Sequence, residues 1–468
     1  MSSLNRIRAV RKAIVVVLCY LIVQAPCLAI DEAVPLRAAT TGNEFSDRYT
    51  GLTKKILLAG IEVERFSLNY RLENAHISNF KKLVFFGTQQ AGSSCGLAFE
   101  IVADKQFNRG RHRLLSLNVR ALQQALRTAE VGSIIAASGS AFELAANAVQ
   151  YERSRRRGFD TASANRFVAS HLQQIDTLLS EREALVAANP LHPAHDRAVI
   201  EGKILQSMRG TFVNEYAHFS ADNRSAFAVQ NLFYLLNVAY NTVGACGAGV
   251  AYTSTKIGHL KLNGPANVLF IVSGAMAGAT PLLCTAQLWA QRKFILGSQQ
   301  RKFGGSDADL AEISKERALL EAASTDPGSL MPSFPSTQRL ALYTESDKLF
   351  TKQLESETTT MQQLNKIALQ NSFAGPAIGS LLMTQGILGK VGFDEYFPRR
   401  PKKQFNLDYK GAVCGTVGTS MAVVGNAAWF LASMSYEHRL KKQNRLPEQL
   451  IKERLAHLDD LEKTVTAL

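Results

Sequence analysis

Glu143 is the only Asp, Glu, Lys, Arg or His in the stretch 131–151. A carboxylate inside an apolar helix is costly in a bilayer, and where one is kept it serves a cation path or a proton relay. Glu100 closes a second apolar stretch, 83–99, and Asn147, Asn237 and Asn241 add amides in neighbouring apolar segments. With Gln89 and Gln90 these residues form a candidate polar path. The other reading of Glu143 is a hydrogen-bonded carboxylate buried in protein, and the residues alone leave both open.

Three further motifs have chemical spacing. Gly92-Ser93-Ser94-Cys95-Gly96 matches G-x-S-x-G, the nucleophile elbow of acyl hydrolases, and would make Ser94 the nucleophile. That chemistry needs a strand before the serine and a helix after it, whereas the surrounding pattern is helical. Gly87 and Gly92 have the spacing of a phosphate loop, but the lysine that contacts phosphate is missing. His192-Pro193-Ala194-His195-Asp196 sets two imidazoles near a carboxylate in a proline-broken stretch, which reads as a polar linker between units. Cys95, Cys246, Cys284 and Cys414 are isolated within apolar stretches, without a CxxC pair, so neither a metal nor another cofactor is expected.

The elements that would carry these residues are set by charge patterning. The windows 225–255, 262–291, 367–389 and 411–436 contain no Asp, Glu, Lys, Arg or His. All are longer than the roughly 20 residues that a bilayer core requires of a helix. Globular helices carry a polar stripe, and these blocks lack charge on every face. Small residues offer close helix packing: Gly244 and Gly247, and the small-xxx-small pairs Gly274 with Gly278 and Gly375 with Gly379. Trp289, Trp429 and Tyr436 stand near block ends, where amphipathic rings favour the membrane interface. A mean hydropathy near zero thus averages apolar blocks with charged segments.

Residues 1–29 read as a signal peptide. Arg6, Arg8, Arg11 and Lys12 precede an apolar run, and a small-residue cleavage site ends at Ala29. An uncleaved signal anchor is the alternative, and in either case the chain from about residue 31 starts on the non-cytoplasmic side.

An internal repeat organises the remainder. Lys55-Ile56-Leu57, Lys203-Ile204-Leu205 and Lys348-Leu349-Phe350 recur roughly 140 to 150 residues apart. Asn79-Phe80, Asn231-Leu232-Phe233 and Asn371-Ser372-Phe373 follow in the same order, as do Glu181-Arg182, Glu316-Arg317 and Glu453-Arg454. The predicted units are 30–190, 191–328 and 329–468. Each reads as an amphipathic helix, an apolar hairpin, a basic cluster and a closing amphipathic helix. The hairpins are 227–252 with 264–290, 368–389 with 411–435, and a less apolar first pair, 83–99 with 131–151. Counting that first pair gives six spans, and omitting it gives four. The closing helices show apolar stripes at Leu172, Ile175, Leu179 and Val186, at Leu310, Ile313, Leu319 and Leu320, and at Leu455, Leu458, Leu461 and Val465.

The predicted class is an all-α integral membrane protein of three tandem repeats, with exported arms and cytoplasmic hairpin loops. Those loops are basic, the third holding Arg399, Arg400, Lys402 and Lys403, as the positive-inside rule asks. Because the basic clusters flank apolar blocks without interleaved aromatics, anionic lipid headgroups are their expected partners, and nucleic acid is not. Three tandem two-helix units resemble the mitochondrial carriers in architecture alone. The chain lacks their repeated Pro-x-acid-x-x-base motif, so the resemblance implies no activity. The expected function is a multi-pass membrane scaffold that meets a protein partner through its arms. The alternatives are a transporter or channel through Glu143 and a membrane-embedded hydrolase using Ser94.

Overall fold

The structure is a computed structural model describing residues 42–75, 79–304, scattered positions between 312 and 322, and 374–467. The signal segment and the third unit's opening helix lie outside the described residues, as do Leu310, Ile313, Arg317 and residues 368–373 of the third hairpin. The described chain is all-helical, with 93% helix and no strand.

Among the described residues nine helices follow one another: α1 (Gly42–Ala75), α2 (Asn79–His112), α3 (Val119–Arg156), α4 (Thr161–Ala187), α5 (His195–Ile257), α6 (Asn263–Phe303), α7 (374–396), α8 (Pro401–Lys442) and α9 (Pro447–Ala467). Their ends follow local chemistry. Asn118 caps α3 by accepting from the Ala121 amide, and the Asp160 carboxylate caps α4 by accepting from Ala162 and Ser163. Gly258 and Gly304 end α5 and α6 at φ of 72° and 73°, a left-handed conformation that only glycine adopts without strain. Pro401 opens α8 where its missing N–H has no helical partner to lose.

The helices sort into two groups. In the first, α1, α4, the N-terminal half of α5 and α9 bury an ordinary apolar core that includes Ile56, Leu68, Val168, Ile175, Ile204, Val213, Ile451 and Leu458. The stripe Leu172, Ile175, Leu179 and Val186 is buried as its spacing predicts. In α9, Leu458 and Val465 are buried, with Leu455 and Leu461 packed against them. Tyr216 also lies in this core, donating to Asn165 Oδ1 at 2.8 Å, and burial raises its pKa so that it remains a neutral donor.

The second group is a closed ring of six helices. Neighbours pack in the order α2, α3, α5, α6, α7, α8 and back to α2. Small residues make the contacts close. Gly132 of α3 lies against Cys95 and the Gly92 carbonyl of α2, and Gly139 lies against Thr88. Gly411 and Gly418 of α8 meet Gln385 and Leu381 of α7. Phe86 stacks on Phe430 at 4.1 Å between ring centroids, closing α2 onto α8. Three helical hairpins, α2/α3, α5/α6 and α7/α8, make up this ring. Their turns meet at one end: Phe107 contacts the ring of Phe405 at 6.4 Å, and Gly264 lies beside Phe393. The stretches 83–99 and 131–151 lie in α2 and α3, which pack against each other.

Two helical stretches, Leu260–Phe303 and Pro401–Lys442, are long and apolar enough to cross a membrane, and few of their apolar-window residues are buried. Four or six such helices were expected. Ring helices α2, α3 and α5 contain apolar runs diluted by amides and charges, namely Lys81, Gln89 and Gln90 in α2, Glu143 and Asn147 in α3, and Asn231, Asn237 and Asn241 in α5. Linear hydropathy counts these residues equally wherever they point, and here many of them turn inward.

Candidate functional site

The inward polar residues form a seam between α2, α3 and α5. In α3, Ser140, Glu143 and Asn147 are spaced i, i+3 and i+7, which puts them on one helix face. In α5, Asn231, Tyr234, Asn237 and Asn241 repeat a similar spacing on the face that meets them. Ser140, Glu143, Asn147 and Asn237 are each at most 3% exposed.

At the end of the seam nearest the first helix group, Lys81 of α2 donates to Asn147 Oδ1 at 2.9 Å and stands 3.5 Å from Glu143 Oε2. Asn147 Nδ2 donates to Asn231 Oδ1 at 2.8 Å. One turn back along α3 from Glu143, the Ser140 hydroxyl donates to Asn237 Oδ1 at 2.8 Å and receives a bond from Gln89 Nε2 at 3.2 Å. Asn237 Nδ2 then donates to the Tyr240 hydroxyl at 2.7 Å, and Asn241 Nδ2 to Asn237 Oδ1 at 2.8 Å. Ser273 of α6 extends the seam by donating to the Tyr240 carbonyl at 2.8 Å. Most of these groups are satisfied, as buried polar atoms must be. Glu143 Oε1 is the exception, being buried without a hydrogen-bond partner.

Four of the five expected path residues, Glu143, Asn147, Asn237 and Asn241, therefore meet in one seam. Glu100 stands elsewhere. Both its oxygens accept from Gln385 Nε2 of α7 at 2.8 Å, and they press on Gly415 of α8, where a Cβ would collide with the carboxylate. Sequence reasoning missed Lys81, Ser140, Asn231 and Gln385. The i, i+3, i+7 spacing of Ser140, Glu143 and Asn147 was a usable signal within α3, while nothing local announces Lys81 or Gln385.

The glycine pairs also meet. Gly274 and Gly278 of α6 face Met383 and Gly379 of α7, Gly375 faces Pro281, and a Cβ on Gly379 would strike the Gly278 backbone. Gly244 lies against Ser273, and Gly247 against Leu269 and Phe270. Arg399, Arg400, Lys402 and Lys403 are exposed at the hairpin-turn end, with Lys403 over the Tyr396 ring at 5.7 Å. Arg111 stacks over Tyr409 at 4.0 Å at the same end.

The remaining motifs lack the geometry that their chemistry needs. Gly92 to Gly96 lies within helix α2, so Ser94 has neither the preceding strand nor the sharp turn of a nucleophile elbow. His192 packs on Phe45 at 4.3 Å and accepts from the Ala194 amide, as a turn residue does. No group of His, Cys, Asp and Glu suited to a metal ion occurs among the described residues. Comparisons with models of known protein families, with curated proteins and with solved structures find no match. The class that can be stated from the fold is therefore an all-helical protein with two helices fit to cross a membrane, which points to membrane association.

Proposed function

We propose that the chain is a multi-pass membrane scaffold, built of three tandem units, whose six-helix ring spans the bilayer and whose helical arms meet a protein partner. The observation that carries this reading is the inversion of burial between the two helix groups. The arms bury their apolar side chains, whereas the ring turns Leu83, Val149, Leu235, Leu282, Val424 and Leu431 outward, each more than half exposed. A soluble protein rarely presents so wide an apolar surface, and a bilayer is the solvent that favours it. The three helical hairpins of the ring support the three-unit organisation. In this reading residues 1–29 direct export, the arms lie on the non-cytoplasmic face, and the basic turns lie in the cytoplasm against anionic headgroups. Reporter fusions at Arg301 and Arg400 test it. A cytoplasmic signal at Arg400 with an exported one at Arg301 is expected, and the reverse would overturn the orientation.

The buried seam favours a second reading, a transporter or channel whose path follows Glu143, Asn147, Asn237 and Asn241. Solute flux in proteoliposomes that is lost on changing Glu143 selects this reading, and stable capture of a partner through the arms selects the first.

A further inference from the structure

We propose that Glu143 is a proton-binding site within the ring, and that proton uptake there releases Lys81 to the membrane interface. The inference rests on the reading of the ring as membrane-spanning, and it names the ligand of the seam.

The argument begins with unfilled valence. Glu143 is 2% exposed, its Oε2 is 3.5 Å from the Lys81 ammonium, and its Oε1 has no hydrogen-bond partner. The group left wanting is an acceptor, so what completes the site is a donor. Lys81 does not complete it, because its close bond goes to Asn147 Oδ1 at 2.9 Å. Asn147 gives one of its two amide N–H groups to Asn231, and makes no hydrogen bond to Glu143 Oε1. A metal cation asks for several oxygens at once, while among the described residues of this seam the unpartnered oxygen is Glu143 Oε1, and a proton needs only one.

Charge counting gives the second step. Glu143 and Lys81 together are neutral, which a low-dielectric site requires. Adding a proton alone would leave the buried pair with a net positive charge. Lys81 offers the way out. It is two residues from the start of α2 and already 17% exposed, so its long stem can carry the ammonium to water while the root stays packed. An O–H bond forms at Glu143, the Lys81 ammonium keeps its own proton, and the seam stays neutral. The other charged or titratable groups facing this end do not compensate Glu143. Tyr234 of α5 lies within its electrostatic reach, and Lys82 is engaged by Glu437 of α8.

Infrared difference spectroscopy of the full chain in lipid vesicles, titrated across the acid-to-neutral range, tests the site. A protonated-carboxyl stretch that grows as pH falls and is missing in Glu143→Gln is expected. Lys81→Gln removes the neighbouring positive charge and moves the midpoint to higher pH, while Lys81→Arg leaves it near the wild-type value. This pair of variants keeps the test usable if Glu143→Gln does not fold. A carboxyl signal unchanged in Glu143→Gln, a midpoint indifferent to Lys81→Gln, or a signal governed by sodium instead of pH would overturn the proposal. A titrating Glu143 in vesicles that show no proton or solute flux would leave the site standing and remove the transport reading. Failure of the chain to insert into vesicles would overturn the membrane reading and this site with it.

Discussion

Arg454 is 1% exposed and meets two carboxylates, Glu64 at 2.5 Å and Glu215, each of them buried. Arg182 occupies a comparable place, held by Thr53, Tyr49, the Ala198 carbonyl and Glu201. Both arginines follow a glutamate in the closing helices α4 and α9, and both make buried ionic ties inside the arms. Removing Arg454 would strand two carboxylates in an apolar core. Arg454→Ala is therefore expected to destabilise the arms by about 3–5 kcal/mol, since breaking a buried pair leaves an uncompensated charge. Adding Glu64→Gln and Glu215→Gln should recover part of that loss. Thermal unfolding followed by circular dichroism in detergent checks the order of the three proteins. At this scale the sequence was legible in part. Glu143 stood out because it interrupted an otherwise uncharged run, whereas Glu64 lies among other charged residues and Glu215 between Arg209 and Asp222, and neither gave a sign of burial. Their role depends on α9 returning to α1, a contact between residues almost 400 positions apart.

Helix crossings were read more fully. The small-xxx-small pairs at Gly274/Gly278 and Gly375/Gly379 marked close packing, although nothing in either segment said that the two would meet each other. In the structure α6 and α7 cross there with no room for side chains. Gly379→Val is expected to force the helices apart, by several kcal/mol if the backbone cannot shift, whereas Gly425→Ala on the open side of α8 should be near neutral. Cross-linking yield between cysteines placed on α6 and α7 measures the separation directly. The Asp160 cap of α4 supplies a pH test. Its carboxyl is held below the usual range, chiefly by the Ser163 side-chain hydrogen bond, with partial burial opposing and the Ser163 and Ala162 amides assisting. A depressed folded-state pKa adds stability above the unfolded value, and that stability is lost as pH falls through the folded one. Asp160→Ala should cost about 1 kcal/mol at neutral pH, and the difference should vanish in acid. Arm unfolding measured at both pH values decides it. What the local pattern did not show is that α5 runs unbroken for 63 residues, carrying an arm segment straight into a ring segment. No proline or glycine stop divides them, and the change from charged to uncharged composition within α5 looked like a boundary.

For the whole molecule, the decisive quantity is which way apolar residues point, and composition cannot report direction. A near-zero mean hydropathy is compatible with a soluble bundle and with a membrane ring carrying charged arms. The sequence separated the two kinds of segment, but it did not show that six helices close into a circuit, because closure depends on α8 returning to α2. Nor did it show that the amides of α3 and α5 would face each other; by their presence alone they keep both helices less apolar than Leu260–Phe303 and Pro401–Lys442. Val424 discriminates between the two solvents. It lies in mid-α8 and is 67% exposed. In water an exposed valine replaced by lysine changes stability by within about 0.5 kcal/mol. At the centre of a bilayer the same lysine costs about 2.5–3.5 kcal/mol for insertion. Val424→Lys should therefore reduce the membrane-extracted yield of the chain, while Leu191→Lys, at the fully exposed turn between α4 and α5, should leave it unchanged. If both variants partition and accumulate like the wild type, the ring faces water, and the scaffold, the path and the proton site within it all lose their membrane.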